Sequence, residues 1–86
     1  MNISILPRLR WACRRGMLEL DVLLGNFLEE AYLNLPSYDQ ITFINLLNSE
    51  DQDLFIWLTG KEQCLDTHLQ NIVEKIRYHA KTRHHA

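Results

Sequence analysis

The chain is poor in residues that break helices or cross-link loops. Three Gly and two Pro in 86 residues disfavour a loop-rich or all-β fold, which needs turn residues at frequent intervals. Two Cys, Cys13 and Cys64, form no C-x-x-C pair, so neither a disulfide framework nor a zinc site on paired Cys is expected. No apolar run approaches the ~18–20 residues that span a membrane, and no membrane insertion is expected. The apolar stretch Ile3 to Leu6 is too short for a secretory signal, and the positive charges follow it instead of preceding it. A reducing location, the cytoplasm, is the expectation. A Gly-rich phosphate loop, an internal repeat and a low-complexity segment are also lacking.

What is present suits one small domain. Apolar residues make up 47%, too many for a disordered tail. A chain of this length buries only ~60–65% of its unfolded surface, so a large active-site cavity is hard to build. The net charge of −2 hides an uneven layout. Residues 1–15 carry Arg8, Arg10, Arg14 and Arg15 and no acid; residues 16–66 hold ten acids against Lys61 alone; residues 67–86 are basic again. An acidic middle repels phosphate backbones, and nucleic acid is not expected as a partner. The simplest use of the three blocks is mutual attraction within the fold.

Periodicity predicts helices only. A short first helix begins near Pro7, which is tolerated in a first turn, with Gly16 as a left-handed C-cap. A second runs from about Met17 to Leu33 on the stripe Leu20, Leu24, Phe27, Ala31 and Tyr32. Gly25 lies inside it, costing ~1 kcal/mol relative to Ala, and suggests a close helix approach or a kink. Ser37–Gln40 and Ser49–Gln52 both read S-x-x-Q, a capping box before an apolar run. Gly60 stops the fourth helix, and Asp66 caps a fifth with Leu69, Ile72, Val73 and Ile76 inside. The expected fold is all-α: one domain over 1–86, a bundle of four to five short helices, with 1–6 and 81–86 frayed.

The search for chemistry finds no base–nucleophile constellation. Cys13 is in the first helix, whereas His68, His79, His84 and His85 are in or beyond the last. A metal site from His79 and the His84-His85 doublet lacks a thiolate partner at ligand spacing. Trp57 reads as core. Trp11, among four Arg, reads equally as core or as a protein-binding anchor, since Trp and Arg dominate interface hot spots.

The densest cluster is Arg14-Arg15-Gly16-Met17-Leu18-Glu19-Leu20-Asp21. Its bland reading is a capped helix junction. Its sharper reading is a docking patch, in which Gly16 lets another backbone come close while Arg15 and Glu19 present opposite charges.

Trp11 to Asp21, W-A-C-R-R-G-M-L-E-L-D, resembles the signature of the succinate dehydrogenase assembly factor family, whose hallmark R-G-x-x-E matches Arg15, Gly16 and Glu19. A second block, D-x-D-L-F-x-W-L, matches Asp51, Asp53, Leu54, Phe55, Trp57 and Leu58. The resemblance spans roughly residues 8–80. It departs at Gln52, where the family often has Pro, at Gly25-Asn26-Phe27 in place of Pro-Phe-Phe, and in the loop Gly60 to Cys64.

The resemblance implies a five-helix, non-enzymatic chaperone that promotes covalent FAD attachment to a flavoprotein. The implied partner is the flavoprotein subunit of succinate dehydrogenase or fumarate reductase. FAD would be handled through that partner, with no cofactor bound tightly by this chain. Arg15, Gly16 and Glu19 would form the contact surface, with Arg10, Trp11, Arg14 and Asp21 as neighbours and Arg15 donating hydrogen bonds to the partner. A monomer is expected. An alternative, also carried by the resemblance, is an antitoxin-like regulator acting with a small membrane partner.

Overall fold

A computed structural model describes residues 5–83. Five α-helices occur among them: α1 (Leu6–Ala12), α2 (Leu18–Ala31), α3 (Ser37–Leu46), α4 (Asp51–Leu58) and α5 (Thr67–Arg83), with a 3₁₀ turn, Tyr32–Asn34, after α2. Among the described residues no strand occurs. The all-α bundle expected from the periodicity is the fold.

The helix α5 is the longest and packs against α2, α3 and α4, while α1 rests on α2. Its buried stripe is Ile72, Val73 and Ile76, each contributing ~1.5–3 kcal/mol of transfer free energy. Leu20, Leu24, Phe27 and Leu28 of α2 are buried in the same core. The aromatic centre is Phe43 of α3, whose ring centroid lies 5.5 Å from Phe27 and 5.6 Å from Tyr32.

The ends of the helices partly depart from expectation. Asp66 does cap α5, its Oδ1 accepting from the N–H groups of His68 (2.9 Å) and Leu69 (3.2 Å). Gly60 does follow α4 at φ +80°. Neither predicted capping box forms. Pro36 and Glu50 occupy the N-cap positions of α3 and α4, without a side-chain cap. Ser37 is already helical, and Gln40 instead donates to the carbonyl of Tyr32 at 2.9 Å, satisfying the end of the preceding turn. Gly25 mediates no close approach, since nothing lies within 4 Å of a Cβ built there.

Parts of the two segments expected to fray are helical. Leu6 opens α1, and residues 81–83 form its counterpart's last turn in α5. Arg83 Nε donates to both carboxylate oxygens of Glu30 on α2, at 2.8 and 3.0 Å, and His79 Nε2 lies 2.9 Å from the same group. The rest of both predicted frayed segments lies outside the described residues.

The charge blocks meet as complementarity requires. Arg10–Glu29, Arg15–Asp51, Lys75–Asp39 and Arg83–Glu30 each join a basic end of the chain to its acidic middle.

Candidate functional site

The site lies on the connector between α1 and α2. α1 ends at Ala12 with Cys13 as its C-cap. Gly16 therefore falls three residues beyond that cap instead of forming it, but it is left-handed, at φ +86°. It is exposed, and nothing lies within 4 Å of a Cβ built there. Packing does not require the missing side chain; the backbone conformation does.

Polar ties hold this turn. The Arg15 N–H donates to Asp21 Oδ1 at 2.6 Å, and the Asp21 N–H donates to the Met17 carbonyl at 2.9 Å. The Arg15 side chain, 16% exposed, reaches the α3–α4 junction. Its Nε donates to Asp51 Oδ1 at 2.7 Å, Nη2 to the Ser49 carbonyl at 2.7 Å, and Nη1 to the carbonyls of Leu47 (2.8 Å) and Ala12 (3.0 Å). A guanidinium has five N–H donors, so this chain uses most of them. In the chain by itself, the hydrogen bonds expected to reach a partner go to the chain's own groups. Arg15 pairs with Asp51, not Glu19.

The flanking residues divide into committed and free groups. Arg10 is committed: it forms a two-pronged pair with Glu29, one prong at 3.1 Å. That bond raises the Arg10 pKa and lowers that of Glu29. Asp21 is committed to the connector. Trp11, 76% exposed, is surface and not core. Arg14 and Glu19 are exposed and join no ion pair among the described residues. Arg10, Arg14 and Asp21 also share the lining of a groove of about 270 Å³ that Gly25 and Cys13 enter.

No catalytic reading gains support. Cys13 is buried, and desolvation pushes its thiol up to about 12, against a smaller opposing pull from Arg15. His79 faces Glu30 and stands nearly perpendicular to the ring of Phe27. His84 and His85 lie outside the described residues. Among the described residues no three His, Cys, Asp or Glu gather as metal ligands, and no helix is long and apolar enough to cross a membrane.

Residues 7–80 match the model of the Sdh5 family, described as flavinator of succinate dehydrogenase. The chain belongs to this family. The FAD assembly factor SdhE of Shewanella oneidensis is 47% identical over 77 residues, covering 90% of this chain and 94% of the relative. That of Colwellia psychrerythraea is 55% identical over 69 residues, covering 80% and 76%. The solution structure of a UPF0350 protein superposes with a TM-score of 0.78 at 42% identity, covering 96% of this chain and 89% of that one.

Two features of the site go beyond the first family block. Asp51 belongs to the second block, and its contact with Arg15 needs the fold. Leu18, 81% exposed beside Glu19, falls off the Leu20–Leu24–Phe27 stripe, which is the signal in the sequence that it faces outward.

Proposed function

We propose that this protein is an assembly chaperone: it binds the flavoprotein subunit of succinate dehydrogenase and promotes covalent attachment of FAD. Family membership supports the activity, and relatives that carry the name FAD assembly factor cover nearly the whole chain. The observation that carries the site is the open, left-handed Gly16 turn. Trp11 and Leu18 supply an exposed anchor and an apolar contact around it. Glu19 and Arg14 add an exposed anion and cation that join no ion pair among the described residues. Arg10 and Asp21 shape the rim, and Arg15 sets the turn.

The chaperone carries out no bond chemistry. It binds the flavoprotein conformation in which FAD and the attacking side chain are aligned, and differential affinity for that conformation raises its population. The rate gain comes from positioning. FAD is held by the partner. The protein acts as a cytoplasmic monomer, and the fumarate reductase flavoprotein is a second client.

The test is reconstitution. Purified apo-flavoprotein is incubated with FAD, with and without this chain, and covalent flavin is read by in-gel fluorescence. The proposal requires faster or fuller covalent incorporation with the chain present. Equal incorporation in both arms refutes it.

A further inference from the structure

We infer that Asp51, at the start of α4, is a positioning residue of the Gly16 docking patch and acts through Arg15. The inference rests on the docking reading above and deepens it.

Gly16 is exposed and nothing lies within 4 Å of a Cβ built there, so contacts on that side do not fix its turn. Glycine left to itself visits many backbone conformations. The residue before it is pinned at two points: its N–H by Asp21 and its guanidinium by the α3–α4 junction. At that junction Leu47 is the C-cap of α3, so its carbonyl belongs to the negative end of the helix dipole and favours a cation. Asp51 lies in the first turn of α4, where a carboxylate is favoured. The Arg15 guanidinium therefore bridges two helix ends, and among the described residues Asp51 is the only carboxylate that holds it. The two sequence blocks, 36 residues apart at this pair, form one unit. A turn ordered in advance is not ordered at the expense of docking.

The experiment measures the Kd of the full chain for the apo-flavoprotein subunit by titration calorimetry, at a temperature where circular dichroism shows every variant folded. Asp51→Ala is expected to weaken binding about tenfold, the cost of ordering roughly one backbone residue. Asp51→Asn, which keeps the side-chain shape, serves if the alanine variant does not fold. Arg15→Lys keeps the charge but loses the fork. The double variant Arg15→Lys/Asp51→Ala should bind no more weakly than Arg15→Lys alone. Lys75→Ala removes the Lys75–Asp39 pair elsewhere and should leave Kd unchanged, which separates positioning from general loss of stability. Wild-type affinity for Asp51→Ala, multiplying losses in the double variant, or an equal loss in Lys75→Ala each overturns the inference. Gly16→Arg reports on the docking reading separately: if it too binds normally, the patch itself is wrong.

Discussion

Arg15 and Asp51, 36 residues apart in sequence, meet at 2.7 Å and tie the α1–α2 connector to the α3–α4 junction. The guanidinium is mostly enclosed, and its bonds to the carbonyls of Ala12 and Leu47 satisfy groups that helix ends otherwise leave to water, while its bond to Ser49 holds the connector between α3 and α4. Replacing it with Ala leaves those carbonyls and Asp51 without their donor. Arg15→Ala is expected to destabilise the fold by about 2 kcal/mol. For a domain of this size that lowers Tm by roughly 10 °C, measurable by circular dichroism.

Gly25 gives the opposite outcome. It lies inside α2 with open space where a Cβ would go. Gly25→Ala should raise stability by about 1 kcal/mol through helix propensity and a less flexible unfolded chain. A urea midpoint that rises with unchanged slope is the expected result. The same change at Gly16 should destabilise, because φ there is +86°.

Acid should loosen the links between the chain's ends and its middle. Hydrogen bonds from Arg10 and Arg83 hold the carboxyls of Glu29 and Glu30 below their ordinary range. A depressed folded-state pKa contributes stability that is complete above the unfolded value, ~4.3, and is lost as pH falls through the folded values. Both carboxylates are well exposed, so each effect is small and screened by salt. Urea midpoints should fall below pH ~4, and Arg10→Ala should flatten that fall.

Cys13 should be silent toward thiol reagents. Burial in the core and a thiol at about 12 leave almost no thiolate at pH 8. Mass spectrometry of alkylated peptides should show Cys13 unlabelled in the native protein and labelled within minutes in denaturant.

The helices were legible because their apolar spacing is regular: Leu20, Leu24 and Phe27 in α2, Ile72, Val73 and Ile76 in α5, all buried. The capping boxes misled because S-x-x-Q records spacing alone. Pro36 takes the cap position before Ser37, and the Ser49 carbonyl serves Arg15. The cluster Arg14 to Asp21 was legible as a cluster, yet the division of labour inside it was not. Whether Arg15 faces a partner or its own chain depends on where Leu47, Ser49 and Asp51 come to lie, which is tertiary information. Trp11 was undecided for the same reason: a short helix has too few residues to define an inner face.

The central claim is tested most directly by Gly16→Asn. Asparagine tolerates the left-handed conformation better than other side chains, so the variant keeps the turn while covering the open spot. The measurement is covalent FAD per flavoprotein, with Tm recorded alongside. A folded Gly16→Asn protein that leaves covalent FAD at the level seen without any chaperone is the predicted result. A folded Gly16→Asn protein that supports wild-type FAD attachment contradicts the account.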